Sequence, residues 1–132
     1  MTLHDFKPVH FTIEERPPVV VAIMVRSSLS EEDNIEEFGS ELNQLVDNYG
    51  CRWLVLDLGQ VSLLTSSAVG KLIVLHRCLH RRNGRLVICG INSVITDVFQ
   101  TAKLNDYFHL TSTVDQAVDQ MMQAKSDTQP NS

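Results

Sequence analysis

The sequence has few cysteines, and their spacing favours neither a disulfide framework nor a zinc site. There are three cysteines, Cys51, Cys78 and Cys89, and no two of them form a Cys-x-x-Cys pair. Disulfide frameworks and zinc sites both use paired cysteines. Cys89 lies in an apolar run and is interpreted as a small buried hydrophobic residue. All three are expected to be reduced cytosolic thiols without a chemical role.

Long hydrophobic runs are missing as well. The longest, from Pro18 to Val25, has the length of a strand, while a membrane-spanning helix needs about 20 apolar residues. Residues 1–10 lack the apolar core of a secretion signal. We therefore expect no insertion into a membrane and a location in the cytoplasm.

Positive charge is in the minority, with 11 Lys and Arg residues against 16 Asp and Glu and a formal net charge of −5. Proteins that bind nucleic acid concentrate positive charge on the binding surface, often with aromatic residues among the basic ones. The one basic patch has no interleaved aromatic residue and consists of Arg77, Arg81, Arg82 and Arg85. We predict no nucleic-acid partner.

Motifs of catalysis are absent from the sequence. It contains no glycine-rich phosphate loop, nucleophile elbow or recognisable pair of catalytic carboxylates. His76 and His80 have the spacing of two metal ligands on a helix, but no third ligand is evident nearby. A packed or half-buried His76 is the better interpretation, so we predict no enzyme activity, no metal and no cofactor.

The pattern of apolar residues predicts one α/β domain. Buried strands are indicated at 19–25, 53–58 and 85–89, and apolar stripes at helical spacing separate and follow them. The predicted order is β-β-α-β-α-β-α-β-α, which implies a mixed, mostly parallel sheet of about five strands with about four helices. We place the domain at residues 1–124 and expect the polar tail 125–132 to be disordered.

Capping residues locate the predicted helices. Ser28 or Ser30 begins the first, Asn92 or Ser93 the third, and Thr113 with Gln116 the fourth. The first helix carries acidic residues opposite its apolar stripe, which we expect to form a solvated face: Glu36, Glu37, Glu41 and Asp47.

Three consecutive hydroxyl side chains stand where the second helix begins, after a central strand: Thr65, Ser66 and Ser67. A helix amino terminus has unpaired N–H groups and a partial positive charge, and therefore tolerates an added phosphate. One hydroxyl is expected to serve only as a helix cap. Three in a row exceed what a cap requires, which makes this segment the candidate site.

The surrounding sequence carries a family pattern. A buried strand ends in Asp at Val55-Leu56-Asp57, and two apolar residues, Leu63-Leu64, follow it. Hydroxyl residues then open a helix in the segment Thr65-Ser66-Ser67-Ala68-Val69-Gly70. Further matching segments are Asn83-Gly84-Arg85-Leu86-Val87-Ile88-Cys89-Gly90, Val98-Phe99 and Lys103-Leu104. The stretch from Trp53 to Phe108 thereby resembles the STAS domain, named for sulfate transporters and anti-sigma factor antagonists. Thr65 stands where the family has Asp, and Ala68 where it has its first Gly.

The resemblance implies a regulatory protein that binds an anti-sigma factor of the serine kinase type. Ser66 falls at the family's phosphorylated serine, with Thr65 and Ser67 as alternative acceptors. The expected partner-binding residues are Asp57, Thr65, Ser66, Ser67, Lys71 and Val74. Two alternatives stay open. One is a non-switching binding module, as a subunit of a signalling scaffold or of a lipid-transport ABC complex. The other, which has less support, is an enzyme or ligand receptor with its site at the strand ends. A homodimer is also left open.

Overall fold

The computed structural model describes residues 3–25, 27–29 and 32–128. A single 3-10 turn, Leu3–Asp5, precedes the first strand. The strands and helices follow in this order: β1 (Phe11–Arg16), β2 (Val19–Met24), β3 (Ser28–Leu29), α1 (Glu32–Asp47), β4 (Trp53–Asp57), β5 (Leu63–Leu64), α2 (Ser66–Arg81), β6 (Arg85–Cys89), α3 (Ser93–Thr101), β7 (His109–Thr111) and α4 (Val114–Thr128).

The main sheet has five strands in the order β1-β2-β4-β6-β7. β1 pairs with β2 antiparallel, and all other neighbours are parallel. Val55 of β4 lies at the centre, paired with Val21 on one side and Val87 on the other. The predicted fold class, a mixed and mostly parallel sheet of about five strands with four helices, is confirmed.

Both faces of this sheet are covered, which explains the almost uninterrupted apolar strands. Leu54 and Leu56 point to the face that packs against α1, α2 and α3, where Phe38, Leu72 and Phe99 complete the larger core. The opposite face forms a smaller core with α4, made by Val21, Val55, Val87, Ala117 and Met121. Side chains alternate between faces along a strand, so each central strand contributes to both cores.

One of the two predicted starts of the first helix, Ser28, is wrong. Ser28 is not its cap but part of β3, which pairs in parallel with β5 in a separate two-stranded sheet. The helix begins at Glu32, and the second predicted cap, Ser30, lies outside the described residues. The signal was misleading because serine followed by an acid three residues later also occurs in extended segments that pair with a distant strand.

The acidic face of α1 is only partly solvated, and the prediction is wrong for Glu41. This side chain is buried, and its carboxylate accepts hydrogen bonds from the backbone N–H groups of Val9 at 2.5 Å and His10 at 3.1 Å. The neighbouring Glu37 lies 3.0 Å from the ring of the buried His10. Burying a carboxylate is tolerated when backbone donors surround it, so Glu41 fixes the segment that precedes β1.

The remaining capping predictions agree with the structure. Asn92 caps α3, its side-chain oxygen accepting from the Ile95 N–H at 2.9 Å, and Thr113 accepts from the Gln116 N–H at 3.1 Å before α4. The run Phe108-His109-Leu110 predicts the last strand, which lies one residue later, at His109–Thr111. α4 runs to Thr128, past the predicted domain end at 124; residues 129–132 lie outside the described part of the chain, so disorder of the tail stays a prediction.

The cysteines are free thiols, and two of them are core residues. Burial raises the pKa of Cys51 to about 12, and burial together with the nearby Asp57 carboxylate raises the pKa of Cys89 to about 12. Both thiols therefore behave as small apolar side chains. Over the described ranges, no helix has the length and apolar character needed to cross a bilayer.

Candidate functional site at the amino end of α2

Asp57 shapes the loop that leads from the central strand to the candidate site. Its Oδ1 atom accepts a hydrogen bond from the Gly59 N–H at 2.8 Å. Gly90, at the end of the neighbouring strand β6, comes so close that a Cβ there would lie 2.9 Å from the same oxygen. Asp57 thus fixes the turn after β4 and lies close to the end of β6. Its predicted role in binding a partner stays a prediction.

The two-stranded sheet then fixes the residues before α2. The Ser62 N–H donates to the Ser27 carbonyl at 2.7 Å, and the Thr65 N–H donates to the Leu29 carbonyl at 3.2 Å. Leu29 and Leu64 are both buried in the larger core. Backbone hydrogen bonds and buried leucines therefore hold the amino end of α2 against the segment that leads into α1.

Thr65 is the hydroxyl residue that caps the helix. It has an extended backbone, with φ −83° and ψ 165°, and its Oγ1 accepts from the Ala68 N–H at 3.4 Å. The same hydroxyl donates to the Leu29 carbonyl at 3.3 Å. An N-cap oxygen satisfies one of the donors that a helix leaves unpaired, so this half-buried hydroxyl already has a structural role.

Ser66 and Ser67 are the first two residues of α2, and both are exposed. Ala68 and Val69, which follow, are buried. The chain thus turns from solvent to core within one helical turn, because the apolar stripe begins at Ala68 and leaves the two serines beyond its edge. Of the three predicted hydroxyls, two face solvent at the positive end of the helix dipole.

Ser66 also borders a shallow groove that the sequence did not reveal. Its other walls are Leu64 and the exposed side of α3, where Val94, Asp97 and Val98 lie. Val94 is 52% exposed, an unusual position for a β-branched apolar residue in the first turn of a helix. The signal for this surface was Val94 next to the Asn92 cap, but the sequence could not place α3 beside Ser66.

Two predicted contact residues do not join this groove. The Nζ atom of Lys71 lies 2.9 Å from the carboxylate of Glu36, and its side-chain carbons pack over Gly39, so Lys71 connects α2 to α1. Val74 is 48% exposed but stands eight residues beyond Ser66, about 12 Å along the helix. Their roles in binding a partner stay predictions.

Ionisable side chains near the site show no arrangement for metal chemistry. Across the part of the chain that the structure describes, no group of three or more His, Cys, Asp and Glu side chains is placed to hold a metal ion. What the amino end of α2 offers is an exposed serine hydroxyl, a helix dipole and an adjoining groove with apolar and acidic walls. This arrangement suits recognition by a macromolecule and covalent modification of the serine.

Comparison with known proteins agrees with this geometry. The family model of the STAS domain matches residues 10–117. The structure of the anti-sigma factor antagonist SpoIIAA in its unphosphorylated form superposes with a TM-score of 0.73 at 19% identity, covering 86% of this chain and 96% of that one. SpoIIAA of Bacillus in the phosphorylated form gives 0.64 at 20% identity, covering 83% and 97%.

A further match comes from a chain described in the molecular architecture of the stressosome, a signal integration and transduction hub. It has a TM-score of 0.66 at 15% identity and covers 86% of this chain and 98% of that chain. These likenesses at low identity establish a shared fold.

Proposed function

Because the chain belongs to the STAS domain family, we propose that it is an anti-sigma factor antagonist that binds an anti-sigma factor of the serine kinase type. In this proposal the unmodified chain binds the anti-sigma factor and frees the sigma factor. The partner kinase uses ATP to phosphorylate Ser66, and the modified chain is released. The chain performs no catalysis itself and acts in the cytoplasm, where transcription takes place.

The observation that carries the proposal is the exposed Ser66 hydroxyl at the first position of α2, beside a cap that Thr65 already provides. A phosphoserine carries close to two negative charges and strong acceptor oxygens. The helix amino terminus stabilises that charge, so the fold tolerates the modification. A partner seated in the adjoining groove would meet new charge beside Asp97.

The other two hydroxyls are weaker acceptors for different reasons. Thr65 is half-buried and holds hydrogen bonds to Ala68 and Leu29, so its phosphorylation would remove the cap. Ser67 is exposed but is not among the residues that line the groove beside α3. We therefore keep Ser66 as the acceptor and retain Thr65 and Ser67 in the partner surface together with Asp57, Lys71 and Val74.

Binding to serine-kinase anti-sigma factors of the same organism tests the proposal. We expect Ser66→Asp to weaken the complex by at least about tenfold, or 1.4 kcal/mol, because the added charge must be desolvated at the interface. Ser40→Asp is the matched control, since Ser40 is an exposed serine on α1 outside the groove, and should leave the affinity within about twofold. Equal affinities for the wild type and Ser66→Asp would remove the switch.

Phosphorylation itself needs a separate measurement. Incubation with the same partners and ATP, followed by mass spectrometry, should place one phosphate on the peptide containing Ser66, and Ser66→Ala should abolish it. Transfer to another residue with Ser66 unmodified would contradict the assignment.

A second candidate is a non-switching subunit of a signalling scaffold or of a lipid-transport ABC complex. Thr65 favours it, because a hydroxyl replaces the family's carboxylate next to Ser66 and removes a charge from the surface. The fold of a stressosome chain is also among those matched. Native protein that carries no phosphate under inducing conditions, while purifying in a large assembly, would decide for this alternative.

A further inference from the structure

We propose that a cavity at the carboxyl end of α2 binds a small organic anion that carries an aromatic ring. The cavity consists of two adjoining pockets that share His76, His80 and Tyr107 as common walls. Its lining on α2 runs from Val74 to Arg81, about 12 to 22 Å from Ser66 along the helix axis. It shares Val74 with the expected partner surface but no residue with the groove beside Ser66, and the proposal does not depend on the anti-sigma function.

The helix supplies two parallel rows of side chains to this cavity. Residues four apart lie on one helical face, so His76 and His80 form one row and Arg77 and Arg81 the next. The imidazole rings of the first row are stacked, with centroids 6.3 Å apart and planes 13° from parallel. Tyr107, from the loop after α3, adds a third ring 4.7 Å from that of His76.

The ring wall is held in place from behind. The buried Phe108 meets the His76 ring edge-on, with centroids 5.8 Å apart. Aromatic faces that are fixed by core packing offer a ligand ring contacts of the offset or edge-to-face type. Tyr107 and His80 stay exposed, so this wall is open to a ligand.

Positive charge dominates the remaining lining. Arg77, Arg81 and Arg85 reach the two pockets, against a single carboxylate, that of Asp106. Among the residues that the structure describes, none of these three arginines has a carboxylate within ion-pair distance, whereas the adjacent Arg82, outside the cavity, pairs with Asp47. Guanidinium groups bind carboxylates and phosphates in a two-point geometry, so the cavity presents donors without anionic partners.

Two histidines of the cavity have lowered pKa values, first because of burial and then because of neighbouring positive groups. Burial lowers the pKa of His76, and the neighbouring His109 and His80 lower it further. Burial and then the charge of Arg85 lower the pKa of His109. The partial negative charge at the carboxyl end of α2 opposes this field, but it amounts to about half an elementary charge and fades within the last turn, so three guanidinium charges outweigh it.

The probes that test the proposal are phenyl phosphate and benzoate, with inorganic phosphate and phenol as the two isolated parts. Titration of the full chain by calorimetry at low salt, where surface charge is least screened, should show saturable binding of at least one aromatic anion. Inorganic phosphate and phenol should each bind about tenfold more weakly, since each uses only half of the cavity. The two aromatic anions distinguish a phosphate from a carboxylate ligand.

Two adjacent arginines provide a matched pair of variants. Arg81→Gln should weaken binding of the better probe by about fivefold or more. Arg82→Gln removes an exposed charge that lies outside the cavity and should leave binding within about twofold. Tyr107→Leu should reduce the preference for the aromatic anion over inorganic phosphate.

Binding should also strengthen as the pH falls through the histidine range. The groups that face the ligand are Arg77, Arg81 and the two histidines of α2, Arg85 of β6, His109 of β7 and Asp106 of the preceding loop. A bound anion favours protonated imidazole, so the His76 and His109 resonances should titrate at higher pH with the probe present. The proposal is overturned if no probe binds at concentrations up to about 10 mM, which corresponds to a binding free energy of about −3 kcal/mol. It is also overturned if Arg81→Gln and Arg82→Gln lose the same amount of affinity.

Discussion

Replacing Glu41 by alanine should destabilise the fold far more than its position on an acidic helix face indicates. The carboxylate accepts from two backbone N–H groups, those of Val9 and His10. A hydrogen bond to a charged group contributes roughly 1.5–3 kcal/mol. Val9 is exposed, so its N–H can turn to water, but the N–H of the buried His10 would lose its partner. We therefore expect a loss of about 2–4 kcal/mol.

Urea unfolding followed by the fluorescence of Trp53, the one tryptophan of the chain, measures this loss. The matched control is Glu36→Ala on the same helix, whose carboxylate is largely exposed and pairs with Lys71. Such a surface pair contributes about 0–1 kcal/mol. The loss of stability in Glu41→Gln should lie between those of the two alanine variants. The amide oxygen can still accept one of the two backbone hydrogen bonds, whereas the amide N–H₂ would face the other backbone N–H group. If Glu41→Ala and Glu36→Ala agree within about 0.5 kcal/mol, Glu41 does not anchor the segment before β1.

Three further predictions follow from local geometry. Gly84→Ala should destabilise the chain by more than about 2 kcal/mol, because the new Cβ would overlap the backbone carbonyl of Arg52. Gly70→Ala lies within α2 with open space around it and should stabilise the chain by about 0.5–1 kcal/mol. The denaturant midpoints of the two variants measure both effects. Thr65→Ala should remove about 1 kcal/mol of capping free energy, measured in the same way; an unchanged stability would show that the cap is not formed. At pH 8, iodoacetamide should modify only Cys78 in the native chain, because the two buried thiols have their pKa raised to about 12 and the thiolate is the reactive form; peptide mapping that finds native modification elsewhere would contradict the buried positions.

Local sequence patterns predicted the main sheet well, because each central strand is buried on both faces and each helix presents one apolar stripe. Strand β4, for example, follows from the run Trp53–Asp57 alone. The caps Asn92 and Thr113 could also be recognised, since a cap and the N–H groups that it satisfies lie within three residues of each other. Features of this kind require no knowledge of the tertiary structure.

Features that depend on distant segments could not be predicted. Glu41 looks like any other acid on α1, and only the return of Val9 and His10 to that helix buries it. Ser28 looks like a helix cap until Leu63 pairs with it. At the candidate site, the exposure of Ser66 could be predicted from its place before the apolar stripe, whereas its groove with Val94 depends on how α3 packs beside β5.

The small sheet of β3 and β5 has a consequence for the free energy of binding any partner at the amino end of α2. Ordering one residue of a flexible loop costs roughly 1–2 kcal/mol, and that cost would come out of the affinity for any partner. Here the residues leading into α2 are already held by backbone hydrogen bonds to Ser27 and Leu29. Association of a partner at this end of the molecule would therefore cost little conformational entropy.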